Sequence, residues 1–70
     1  MRIKENILKD FGSKVQSHRE RIGISQERLA EMANVHRTYI GTVERGETNI
    51  TLYNMYKLAD ALGINVKELL

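Results

Sequence analysis

The chain has no cysteine, no proline and no tryptophan, and its aromatics are one Phe and three Tyr. Each absence closes a class. Without cysteine there are no disulfides and no thiolate metal sites. The two histidines, His18 and His36, are too few and too far apart for a zinc site. No apolar run approaches the roughly 20 residues of a membrane span, and the opening MRIKENILKDF lacks the continuous apolar stretch of a secretory signal. A cytoplasmic protein with no metal and no cofactor is expected. Also missing are a glycine-rich phosphate loop, a Ser, His and acid set, and paired carboxylates in an obvious pocket, which argues against an enzyme.

What is present points to helices. Plentiful Leu, Ala, Glu, Lys and Arg without proline predict an all-α fold. With no linker, repeat or low-complexity segment, residues 1–70 read as one domain. A domain this small buries only roughly 60% of its unfolded surface. Such domains usually gain stability from disulfides, a metal or association, and with the first two removed a dimer is expected. The formal charge of +2 is modest, so what matters is where the cations fall. The acids Glu27, Glu31, Glu47 and Asp60 are expected to face away from a surface formed by Arg37 and Arg45.

Leu8, Phe11, Val15, His18 and Ile22 recur at three- and four-residue steps and predict a first helix over about Asn6–Arg21, stopped by Gly23. Ser25 is the N-cap of a second helix, Gln26–Met32, although Arg28 stands where a capping box would place Glu or Gln. Asn34 suits the tight turn after it, because it tolerates positive φ. A third helix starts near His36 or Arg37 and ends at Arg45-Gly46. Thr51 caps a fourth, Leu52–Leu62, with the stripe Leu52, Met55, Leu58 or Ala59, and Leu62. Gly63 ends it, and Asn65 with Glu68 predicts a last short helix, Val66–Leu70. The expected fold has five helices.

The stretch Gln26–Arg45 is the centre of this plan. Leu29, Ala30, Ala33, Val35, Ile40 and Val43 lie on one side of a two-helix corner, and His36, Arg37, Thr38, Gly41, Thr42 and Arg45 are left on the other. Gly41 costs the third helix about 0.5–1 kcal/mol relative to alanine, which close approach to DNA would justify; the plain alternative is a tolerated surface glycine. Arg37 and Arg45 can each read a guanine bidentately, or contact phosphate alone. Thr38 and Thr42 can donate to a base or phosphate, or lay a methyl on thymine. His36 can cap the third helix or touch the backbone. Gln26, at the start of the second helix, can meet a phosphate together with the free N–H groups there. His18 sits on the core stripe, where a satisfied, partly exposed ring is the plainer expectation than a pH switch.

The spaced elements Phe11-Gly12, Arg19, Gly23, Ser25-Gln26-Glu27, Leu29-Ala30, Val35, Tyr39-Ile40, Val43-Glu44-Arg45-Gly46, Asn49 and Ala59…Ala61-Leu62-Gly63 resemble the XRE family, the Cro- and phage-repressor-like regulators. The resemblance covers nearly the whole chain. It implies a compact five-helix, lambda-repressor-like DNA-binding domain with the helix-turn-helix at helices two and three. It also implies that Gln26 binds phosphate and braces the first recognition-helix side chain, that Tyr39 reaches phosphate, and that Thr48 and Asn49 follow the next phosphates. The family loop usually reads Asn-Pro; here it is Asn49-Ile50, which leaves its geometry open. Arg19 is expected to pair with Glu44, the alternative being direct DNA contact by Arg19.

Leu62, Ile64, Val66, Leu69 and Leu70 are more apolar than a short tail needs, and either complete the monomer core or form a two-fold interface. A symmetric dimer would set two recognition helices about 34 Å apart on palindromic double-stranded DNA. Within the family, the length and the run HRTYIGTVERGETNIT, residues 36–51, resemble the controller proteins of restriction–modification systems, which activate or repress their own operon, so RNA polymerase is a further candidate partner. A phage repressor or Cro, an antitoxin, and the DNA-binding piece of a longer regulator are the neighbouring readings. A protein-interaction module without base readout is the reading from a different class.

Overall fold

The computed structural model describes residues 3–70. Four α-helices, α1 (Lys4–Arg21), α2 (Gln26–Ala33), α3 (Arg37–Glu44) and α4 (Leu52–Leu62), are followed by a 3-10 turn, Val66–Leu69. The expected fifth α-helix is therefore corrected to a turn. Only four residues lie between the Asn65 cap and Leu70, and they close i→i+3 bonds, Glu68 N–H to the Asn65 carbonyl at 2.9 Å and Leu70 N–H to Lys67 at 3.2 Å. The fold is all-helical among the described residues.

Local chemistry sets the boundaries. The Ser25 hydroxyl accepts from Arg28 N–H at 2.9 Å and Thr51 accepts from Asn54 N–H at 3.1 Å. Asn65 forms a complete capping box with Glu68. Asn34 adopts the left-handed conformation, φ 57°, and ends α2 while Val35 N–H bonds back to Ala30. The first helix starts earlier than expected, at Lys4, with no side-chain cap on Ile3. Its apolar stripe is also shorter than the pattern suggested. Phe11 and Val15 are buried, whereas Ile22 lies outside the helix as its C-cap and is exposed.

Every element contributes to the core: Phe11 and Val15 from α1, Leu29, Ala30 and Ala33 from α2, Ile40 and Val43 from α3, Leu58, Ala59 and Leu62 from α4, and Leu69 from the final turn. Each fully buried leucine is worth about 1.5–3 kcal/mol relative to exposure. Leu52 does not join this stripe; it is 65% exposed because it opens α4 beyond the reach of the core.

The tail needs a larger correction. Leu62 and Leu69 are interior side chains of the monomer, and Ile64 and Val66 pack against the same cluster. A side chain with no exposed surface has nothing to offer a partner, so Leu62 and Leu69 leave the proposed interface, while Ile64 and Val66 keep part of their surface and Leu70 is 65% exposed.

Helices α1 and α3 touch backbone to backbone at Gly12. A Cβ built there would lie 2.7 Å from the Glu44 carbonyl oxygen and closer still to that of Val43. This contact brings Arg19, about two turns further along the same face of α1, to the end of α3.

Candidate nucleic-acid interface

At that end of α3 the side chain of Glu44 is buried, 3% exposed, and needs partners. Arg19 supplies two: its Nε donates to Oε2 at 2.7 Å and its Nη2 to Oε1 at 3.0 Å. Its remaining nitrogen, Nη1, donates to the Ile24 carbonyl at 2.9 Å. Gln26 Nε2 donates to the same Oε1 of Glu44 at 2.9 Å. All three Arg19 nitrogens are thus engaged inside the protein, although the residue also borders the cleft between the first turns of α2 and α3. Hydrogen bonding to Glu44 raises the Arg19 pKa, more than the lowering by burial offsets, with the charges of Glu44 and Glu20 adding to the rise.

Gln26 is therefore tied to the ion pair that fixes α3, through its amide nitrogen. Its Oε1 lies toward Gly41, 3.7 Å from where a Cβ would stand. The first turns of α2 and α3 then face one open cleft of about 520 Å³ with Gln26, Arg37, Thr38 and Arg45 on its walls. His36 caps α3, its Nδ1 accepting from Thr38 N–H at 3.0 Å. That leaves Arg37 and Thr38 exposed on the first turn, where a recognition helix presents its reading residues.

Two outward residues behave differently from expectation. Gly41 is buried rather than open, because the Arg45 guanidinium lies over it, with Nη1 3.0 Å from the position of a Cβ. Glycine there is a seat for an arginine rather than bare helix surface. The Thr42 hydroxyl donates inward to the Tyr39 carbonyl at 2.8 Å, so its proton is not offered to a ligand.

The acids also differ from expectation. Glu27 does not face away: its Oε2 accepts from Arg37 Nη1 at 3.1 Å. Glu47 forms an ion pair with Arg45, its Oε1 3.1 Å from Nε. Both arginines of this face carry a carboxylate beside them. The reason is reach, since the first turn of α2 and the loop after α3 both border the cleft.

Tyr39 is half-buried, and its hydroxyl oxygen accepts from Asn54 Nδ2 at 3.0 Å. With an oxygen lone pair taken by α4, the phenolic hydrogen is the group left to donate outward. No spacing in the sequence pairs positions 39 and 54, which lie on different helices. Thr48 is half-buried and Asn49 exposed in the loop between α3 and α4.

The helix-turn-helix family model HTH_3 matches residues 15–69 of the chain. The chain is 47% identical over 70 residues to the control protein C.SmaI of Serratia marcescens, spanning all of this chain and 79% of that protein. It is 46% identical over 69 residues to the control protein C.BamHI of Bacillus amyloliquefaciens, spanning 97% of this chain and 85% of that one. Among solved structures, the restriction-modification controller protein C.AhdI from Aeromonas hydrophila superposes with a TM-score of 0.88 at 44% identity, over 90% of this chain and 96% of that one.

Proposed function

The chain belongs to the HTH_3 helix-turn-helix family, and from that premise we propose that it is a sequence-specific DNA-binding transcriptional regulator, a controller protein of a restriction–modification system. The observation that carries the reading is the exposed first turn of α3, with Arg37 and Thr38 held on a corner whose last turn is locked by Arg19, Glu44 and Gln26. In this reading α3 enters the major groove. Arg37 reads a guanine with its guanidinium fork, Thr38 and the methyl of Thr42 meet base edges, and Arg45 reaches a base or phosphate from its seat on Gly41. His36, Tyr39, Gln26, Thr48 and Asn49 meet the flanking backbone. The absence of a membrane-crossing helix among the described residues accords with a cytoplasmic regulator.

The test begins with selection of bound duplexes from a random pool, followed by gel shifts against a scrambled duplex near physiological salt. Arg37→Ala is expected to cost roughly 1–3 kcal/mol of discrimination at one base pair of each half-site. Tyr39→Phe is expected to weaken selected and scrambled duplexes alike. Wild-type protein that binds both duplexes equally would sink the regulator and leave a protein-interaction module.

The proposed regulator acts as a homodimer on a palindrome. Supporting this, an apolar groove of about 410 Å³ opens between α1 and the tail, lined by Ile7, Phe11, Ile50, Met55 and Leu70, among others. Ile7 and Leu70 are exposed at its rim, the kind of surface a second copy would cover. Leu70→Asp is expected to shift the mass seen by sedimentation from dimer to monomer while helical circular dichroism stays intact. An unchanged dimer mass would remove this face from the interface. Activation of transcription would add a contact to RNA polymerase, read out by in-vitro transcription with the selected duplex placed upstream of a promoter.

A further inference from the structure

The reading face is short of positive charge. Its two arginines, Arg37 and Arg45, are each matched by an acid within hydrogen-bond distance, Glu27 and Glu47. A surface built only to hold phosphate would leave those cations bare, because phosphate neutralisation supplies the sequence-independent part of affinity. Stability does not account for the Glu27–Arg37 pair either. The two side chains are 73% and 69% exposed, and pairs this open contribute little. A glutamate in the first turn of α2 would interact favourably with the helix dipole in any rotamer. Here it is turned across the corner to α3 instead.

We propose that Glu27 is a specificity-determining residue of the DNA-reading face; this rests on the regulator reading above. Its carboxylate is acceptor-only when ionised. On the floor of a major groove the groups that satisfy it are exocyclic base amines, above all cytosine N4. Phosphate repels it. The carboxylate also holds the Arg37 guanidinium by one edge, at Nη1, which limits the rotamers from which the other edge meets guanine O6 and N7. Glu27 and Arg37 therefore act as one unit that reads a guanine and a neighbouring base amine. Away from that step, the same carboxylate makes contact with DNA unfavourable.

The experiment compares wild type with Glu27→Gln on two probes, the duplex selected by the wild-type protein and a scrambled duplex of the same composition, by fluorescence anisotropy across a salt series. Glu27 is exposed, so the variant is expected to keep the wild-type melting temperature. Affinity for the scrambled duplex is expected to rise several-fold, with the slope of log K against log salt steeper by up to about one unit. The selected-to-scrambled ratio is expected to fall at least about fivefold, the lower end of what one base contact is worth. Selection repeated with the variant should lose preference at one base pair beside the guanine that Arg37 reads. Equal gains on both probes, with the selected motif unchanged, would reduce Glu27 to bulk charge and overturn the inference alone. A wild-type protein with no preferred duplex overturns the regulator reading itself, and this inference with it.

Discussion

Glu44→Ala brings the domain to the edge of unfolding. Removing this carboxylate leaves the mostly buried Arg19 guanidinium with Nε unpartnered and Nη2 facing only the exposed Glu20 carboxylate at 3.9 Å, and takes the acceptor from Gln26 Nε2 as well. Breaking a buried pair by deleting one member costs about 3–5 kcal/mol, since the remaining charge is left uncompensated. A chain of this length has on the order of 4–10 kcal/mol in total, from roughly 0.05–0.15 kcal/mol per residue. The melting temperature should fall by roughly 10–40 °C, at about 4–8 °C per kcal/mol for a domain of this size. A change of only a few degrees would show that water already screens the pair.

The same pair predicts what will not happen on raising the pH. The Arg19 pKa is raised in the folded protein, chiefly by its hydrogen bonds to Glu44. A cation whose folded pKa lies above its unfolded one contributes fully below the unfolded value, and is lost only as pH climbs through the folded value. For arginine both lie in strong alkali, so this contribution stays intact across the neutral and mildly basic range. Replacing both partners with apolar residues, Arg19→Met with Glu44→Leu, should recover most of the stability lost by Glu44→Ala. It should not recover DNA selectivity, because Gln26 and the last turn of α3 would lose the charge that sets their position.

How much of this was legible in advance follows from range along the chain. Ser25, Asn34, Thr51 and Asn65 act on backbone groups within a few residues of themselves, so the helix limits around α2 and α4 followed from the sequence closely. The tail did not. An apolar residue beside a core and one at an interface have the same composition, and only packing places Leu69 inside and Leu70 outside. At the site, the outward set from His36 to Arg45 was visible as a helical face, while what each member touches was not. Asn54 reaches Tyr39 from another helix, and Glu27 and Glu47 turn toward the arginines through rotamers that no periodicity encodes. Arg45 folding over Gly41 reversed the exposure of that glycine for the same reason.

Two helical glycines make the last prediction, because the same substitution should act on them with opposite sign. In helical propensity each replacement by alanine gains about 0.5–1 kcal/mol. At Gly41 the new Cβ meets only the ends of side chains, Arg45 Nη1 at 3.0 Å and Gln26 Oε1 at 3.7 Å. Arg45 is exposed and moves away, so Gly41→Ala should raise the melting temperature while disturbing the seat of Arg45. At Gly12 the Cβ meets the backbone of α3, the Glu44 carbonyl oxygen at 2.7 Å and its carbon at 2.9 Å, with the Val43 oxygen nearer still. Backbone has no rotamer by which to yield. To admit one methyl group α1 and α3 must separate, which strains Val15 and Val43 in the core and stretches the Arg19–Glu44 pair that spans the two helices. Overpacking of this kind costs typically 1–3 kcal/mol and more where backbone must shift. Gly12→Ala is therefore expected to lose about 2 kcal/mol net in urea unfolding, with DNA selectivity falling as the corner tilts. A Gly12→Ala protein as stable as wild type would mean that α1 and α3 slide past each other freely, and the rigid corner on which the reading face depends would have to be sought elsewhere.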